Sequence, residues 1–249
     1  MSLYGVSQQY GGGMTVWDRP EPPHRPVPLD RERIVAAAVA LADEGGLAAV
    51  SVRKVAARLD AGPMRLYGFI STKDELFDLM MDAVYAEILP GEPPGDWREA
   101  LHGLAHRTRR AALRHPWLAD LLGGRPALGP NALAVSEATL AALDGLADID
   151  TAMRAVETVS AYFTGAIRRE LADLRAEHAT GLSRSEWQRT RGPYLTGMLD
   201  TGRFPALAKA VYDGAHVDAE ETFATGLDWV LDAVAARLTG IDGRGAPGR

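Results

Sequence analysis

The chain has 249 residues, 47% of them hydrophobic and 24% charged, a balance that suits a globular protein with ample material for a core. It contains no cysteine, which excludes a disulfide framework, thiol catalysis and a cysteine-ligated metal. Its 27 basic and 33 acidic residues leave a net charge of −6, which excludes a uniformly basic nucleic-acid coat but permits a local basic face. No apolar run approaches the roughly 20 residues that cross a bilayer, and Met1 to Gly13 lacks the basic and apolar regions of a secretory signal. A cytoplasmic protein with no membrane contact is expected.

Residues 1–29 read as a flexible arm, with Gly11-Gly12-Gly13 and then Pro20, Pro22, Pro23, Pro26 and Pro28. Asp30 reads as the cap of a first helix, in which Ile34, Ala38, Leu41 and Ala42 recur at helical spacing until Gly45-Gly46. Ser51 caps a second helix with Val52, Val55, Ala56 and Leu59 on one face. Asp60-Ala61-Gly62 is a turn that places Pro63 at the first position of a short third helix reaching about Ile70. Ser71-Thr72 opens a fourth helix toward Leu89, and Pro90 to Gly95 breaks the chain.

Downstream the reading stays helical. Asp96 to His115 is amphipathic, Leu118 to Gly123 is a short continuation, and Asn131 to Leu143 is another helix. Ile149 to His178 reads as one long helix, apolar on more than one face and therefore buried. Ser183-Arg184-Ser185-Glu186 opens a further helix toward Leu199 as a capping box. Asp218 caps a last helix with the apolar seam Phe223, Leu227, Val230, Leu231, Val234 and Leu238. This seam suits either a core helix or pairing with a second copy in a four-helix bundle. The expected class is all-α: an N-terminal three-helix helix-turn-helix head over residues 30–76, then a larger helical bundle over 77–240 and a flexible tail from 241.

A helix-turn-helix uses its second helix as an anchor across the DNA backbone and its third as a reader in the major groove. Here Val55, Ala56 and Leu59 pack the anchor, and Leu66 packs the reader. Pro63, Met64, Arg65, Gly68 and Phe69 are left for the groove or its walls. Arg53, Lys54, Arg58, Arg65 and Lys73 supply cations, although residues 30–75 hold seven basic and seven acidic residues, so the charge signal is local. Arg19 and Arg25 in the arm suit minor-groove contacts, or simply a solvated terminus.

The run Ser51-Val52-Arg53-Lys54-Val55-Ala56-Ala57-Arg58-Leu59, then Leu66-Tyr67, then Ser71-Thr72-Lys73-Asp74-Glu75-Leu76, resembles the TetR family of bacterial transcriptional regulators. Arg114-His115-Pro116-Trp117 and Gly129-Pro130-Asn131 are similar to the tetracycline-repressor-type C-terminal domain. The resemblance implies a homodimer, a pseudo-palindromic double-stranded operator, and a helical body whose small-molecule effector releases DNA. It places Arg53 at a backbone-contacting position that sometimes also reads bases, Pro63, Met64 and Arg65 at base-reading positions, and Tyr67 and Lys73 at phosphate contacts. Two departures stand out: the family's Gly-Val-Ser-like turn is Asp60-Ala61-Gly62 here, and Gly68 sits where an aromatic is frequent.

For the effector, the candidates are His102, His106, Trp117, Glu157 and Tyr162, polar or aromatic groups within apolar helices. His102 and His106, four apart, have metal-ligand spacing, but no Glu follows the first His, and no metal or cofactor is expected. No phosphate loop or nucleophile elbow frames a glycine run or a serine, so no catalytic residue is assigned. The competing reading is a helical small-molecule-binding protein or enzyme whose head does not bind DNA.

Overall fold

Asp30 starts the first helix, α1 (Arg31–Gly45), by accepting a hydrogen bond from the Arg33 amide at 2.8 Å. The computed structural model describes residues 29–91, 95–124, 127–215 and 217–239. The arm and tail expected from sequence, Arg19 and Arg25 included, therefore lie outside the described residues apart from Leu29. Ile34, Ala38 and Ala42 of α1 are buried, and a 3-10 turn, Leu47–Ala49, carries the chain to α2 (Val52–Arg58). Ser51 caps α2 through the Lys54 amide, and Val55 and Ala56 fill the head's core.

The third helix, α3 (Pro63–Leu66), is a single turn and stops short of the expected Ile70. Residues 67–69 continue as a turn, which lets both Leu66 and Ile70 point into the core. Thr72 then caps α4 (Lys73–Ile88), which leaves the head and packs on α1 at one end.

The body is built around α4. It packs on α5 (Trp97–Arg114) and α7 (Pro130–Ala141), with the short α6 (Leu118–Leu121) between them in sequence. The long helix α8 (Ile149–Thr180) lies against α5, α6, α7 and the last helix, α11 (Ala219–Thr239). Its buried residues, Ala152, Ala155, Val159, Phe163, Ile167 and Leu171, form a single stripe, so the expected burial on several faces does not occur within the chain. The seam of α11 is likewise used internally: Phe223, Leu227, Leu231, Val234 and Leu238 are buried, and Val230 is half-buried. Any second copy must meet a different face of this helix.

Between α8 and α11 stand α9 (Arg184–Leu199), with the capping box read from the sequence, and α10 (Pro205–Asp213), which that reading missed. They pack on each other, and α10 buries none of its residues. All the elements are helical, and no strand occurs among the described residues.

Candidate nucleic-acid interface and adjoining cavity

Packing of the head decides which side chains face outward. With Leu66 fully buried, the rest of α3 turns out: Pro63 and Arg65 are exposed, and Met64 is 80% exposed. Tyr67 and Gly68 are exposed just beyond, as are Arg53 and Lys54 in the first turn of α2. Lys73 opens α4 with its ammonium 4.9 Å from the Phe77 ring centroid, a cation–π contact that still leaves the residue exposed. Phe69 differs from expectation: it is half-buried against the head's core, so it supports the surface instead of forming it. Arg58 is held by Glu44 of α1 in a two-pronged pair at 2.7 and 2.8 Å, which fastens α2 to α1. That bond holds the Glu44 carboxyl below its usual range and the Arg58 guanidinium above its own.

Asp60 explains one sequence departure. Its φ is 49°, in the left-handed region where Asp is tolerated far better than branched residues. The turn can thus be made without the glycine that the family pattern provides.

At the other end of α4, Tyr85 borders a solvent-open cavity of about 460 Å³ between α4, α5, α7 and α8. Leu104, Leu122, Val135, Leu140 and Phe163 make most of its wall apolar, and Thr108, Ser136, Thr139, Glu157 and Ser160 add polar groups. The volume lies within the range of small-molecule sites. Burial pushes the Tyr85 phenol above its ordinary value, so it stays protonated at neutral pH. The backbone rise puts Lys73 and Tyr85 about 18 Å apart along one helix.

Two locks tie α4 to its surroundings. The buried Asp82 carboxylate accepts from the Asn131 and Ala132 amides at 2.9 and 3.0 Å and from the Asn131 side chain at 3.0 Å, capping α7. Gly129 is required there, since a Cβ would sit 2.2 Å from the Asp82 carboxylate. At the head–body junction, His115 sets one ring nitrogen 2.8 Å from Asp43 of α1 and the other 3.2 Å from Glu87 of α4. Trp117, wholly buried, donates its indole N–H to the same Asp43 oxygen at 2.7 Å.

Of the five effector candidates read from the sequence, Glu157 alone lines the cavity. Trp117 belongs to the junction. Tyr162 donates to the Phe223 carbonyl at 2.9 Å and fixes α8 to α11, helped by Gly226, where a Cβ would stand 2.2 Å from the phenol oxygen. His102 and His106 stack with ring centroids 4.4 Å apart on α5, and His106 meets the edge of Phe223 on α11. Burial and the neighbouring His102 push the His106 pKa below its ordinary value. Beside them the buried Arg109 joins Glu170 of α8, at 2.7 Å through two nitrogens, to Glu220 of α11. No group of three His, Cys, Asp or Glu side chains suited to a metal occurs among the described residues.

Sequence reading missed Tyr85, Thr108, Ser136 and Thr139 as cavity residues. Their shared signal is a hydroxyl at an otherwise apolar helical position, which is visible only once the facing helices are known.

An all-helical chain with a helix-turn-helix surface at one end of a helix and an apolar cavity at the other defines a ligand-responsive DNA-binding regulator. Comparison with known proteins agrees. Residues 34–80 match the family model for bacterial regulatory proteins of the tetR family, and residues 89–238 match the tetracyclin repressor-like C-terminal domain. The chain belongs to the tetR family. It is 37% identical to the HTH-type transcriptional repressor DrrR1 of Streptomyces coeruleorubidus, across 93% of this chain and 87% of that one. An HTH-type transcriptional regulator of Saccharopolyspora erythraea is also 37% identical, across 93% and 95%. Among solved structures, the TetR family protein ActR of Streptomyces coelicolor in complex with actinorhodin superposes with a TM-score of 0.72 at 29% identity, covering 84% of this chain and 96% of ActR. No helix among the described residues is long and apolar enough to cross a membrane.

Proposed function

We propose that this regulator is a cytoplasmic homodimeric repressor that leaves a pseudo-palindromic operator when a small molecule fills the cavity. The head, residues 30–76, is assigned to DNA and the body, residues 77–240, to effector and dimer contacts. Arg65 and Met64 read base edges, with Pro63 and Gly68 allowing close approach; Arg53, Lys54, Tyr67 and Lys73 hold phosphates. The observation that carries this reading is α4, which has Lys73 at the head and Tyr85 at the cavity, with Asp82 locked to the cavity wall between them. An effector that displaces α7 or Tyr85 moves α4, and α4 moves the head. Two heads so shifted no longer fit successive major grooves. The regulator acts by binding alone, as the names of its relatives indicate for them.

The dimer reading draws support from exposed apolar surface. Trp229 on α11 is 72% exposed and Tyr194 on α9 is 74% exposed, and α10 finds no core within its own chain. A second copy is the simplest cover for them.

The test is titration of the purified protein with duplex from its own upstream intergenic region, beside scrambled duplex, at several salt concentrations. Tight, selective and salt-sensitive binding is expected, because phosphate neutralisation releases counterions. A folded, ligand-free dimer that binds neither duplex at low salt would overturn the proposal.

A further inference from the structure

We propose that the effector is an amphipathic cation, an apolar ring body bearing a protonated amine that seats against Glu157. This rests on the reading of the cavity as the effector site and adds the chemical class of the effector. Thirteen residues line the cavity, and none is Lys, Arg, His, Asn, Gln or Trp. The wall therefore offers no cation and no side-chain N–H donor. Three of its hydroxyls have already committed their protons: Thr108 donates to the Leu104 carbonyl at 2.8 Å, Ser136 to Ala132 at 3.0 Å and Thr139 to Val135 at 2.7 Å. A hydroxyl has one proton and two lone pairs, so what these three leave for a ligand is acceptor capacity. Tyr85 and Ser160 donate to no described residue, which leaves two donors against an excess of acceptors.

Glu157 completes the pattern. It is exposed on the cavity wall and makes no ion pair or hydrogen bond with any described residue. On α8, Arg168 is spent on the carbonyls of Ala119 and Leu122, and Arg154, one turn before Glu157, is exposed and is not among the residues lining the cavity. An anionic ligand would bring a second negative charge against a wall that itself carries no cation. A neutral ligand rich in acceptors would leave its own lone pairs and those of the wall unmatched. An ammonium supplies up to three donors and the missing positive charge, while its apolar body fills the space between Leu104, Leu122 and Phe163. Because Glu157 keeps partial contact with solvent, pairing does not require the full desolvation that offsets deeply buried ion pairs.

The experiment uses the full-length protein without DNA and three probes on one ring system: 9-(aminomethyl)anthracene, an ammonium at neutral pH, anthracene-9-methanol, which is neutral, and anthracene-9-carboxylate. Binding is read from probe fluorescence on wild type, Glu157→Gln and the cavity-filling Ser160→Trp, with circular dichroism verifying each fold. The expected result is that wild type binds the cation at least tenfold more tightly than the anion. Glu157→Gln should then weaken the cation at least tenfold and leave the neutral probe within twofold. Ser160→Trp should abolish all binding. If Ser160→Trp abolishes binding but the cation is not preferred, or its preference survives Glu157→Gln, the cationic effector is refuted and the cavity stands. If no probe binds, or binding survives Ser160→Trp, the cavity itself is not the ligand site and both readings fall.

Discussion

At single positions, the head shows how a local compromise can carry two consequences. Asp60 holds left-handed backbone at φ 49°, alone in this among the described non-glycine residues, and places a carboxylate at the edge of the reading surface. Replacing it with glycine removes the left-handed penalty of about 1–2 kcal/mol and adds part of that back as unfolded-chain entropy, a net gain of roughly 0.5–1 kcal/mol. Asp60→Gly should therefore raise the urea midpoint and also tighten DNA binding, because a negative charge leaves the groove edge. A lower midpoint with unchanged DNA affinity would contradict both arguments. Arg65 and Lys73 test the two kinds of DNA contact proposed above. Arg65→Ala should relax preference at one operator base, with a loss of about 1–3 kcal/mol in discrimination. Lys73→Ala should weaken all duplexes alike and flatten the salt slope by about one. Selective loss from Lys73→Ala, or unchanged specificity from Arg65→Ala, would reassign those residues.

Helices were legible in the sequence where caps and periodicity agree, and illegible where a neighbour decides the outcome. Asp30, Ser51, Ser183 and Asp218 each accept the backbone hydrogen bond that their position suggested, and Asp96, not read as a cap, does the same. α10 escaped because Pro205 opens it without a side-chain cap and its residues bury nothing. The candidate cavity was less legible than the candidate DNA surface. A helix-turn-helix displays its working residues at fixed offsets, whereas a cavity wall is assembled from four helices whose rotations no local pattern sets. Tyr162 and Trp117 looked like pocket groups because an aromatic with a polar atom must find a partner. Their partners turned out to be the Phe223 carbonyl and Asp43. Asp43 has the larger consequence, since it bonds both His115 and Trp117 across the head–body junction. Asp43→Asn weakens this latch at nearly constant volume, and the expected outcome is a smaller change in DNA affinity on effector binding, read as the ratio of operator affinities with and without ligand. An unchanged ratio would remove Asp43 from the coupling path. His106 makes a pH prediction on α5. Its folded pKa lies below the ordinary 6.5, owing first to burial and then to His102. Below about pH 6.5 the unfolded chain takes up a proton that the folded chain resists, so this contribution to stability is full above that pH and declines as pH falls. His106→Leu, which also removes a buried nitrogen with no partner among the described residues, should flatten the urea midpoint between pH 7 and pH 5. A wild-type acid limb in the variant would place the cause elsewhere.

For the molecule as a whole, the outward faces of α8 and α11 set the terms of assembly. Their apolar stripes are already spent against each other and against α5, yet Trp229 remains 72% exposed on α11, with the small residues Thr225 and Ala233 one turn to either side and also exposed. On α8 the exposed positions include Ala161, Gly165 and Ala172, small enough to admit a large ring from a facing helix. A second copy related by a two-fold axis would cover both Trp229 rings at once, because such an interface presents the same patch twice. In the dimer proposed above, operator affinity would depend on this, since two linked heads bind two half-sites with the second contact made at high effective concentration. Trp229→Glu should therefore produce a monomer at micromolar concentration in sedimentation, lose most affinity for a full operator and keep wild-type affinity for a half-site. The urea midpoint measured on the monomer should move little, because an exposed side chain contributes little to its own subunit's core. A variant that remains dimeric with full operator affinity would show that the two copies meet through another surface, with the exposed apolar residues of α9 and α10 the next place to substitute.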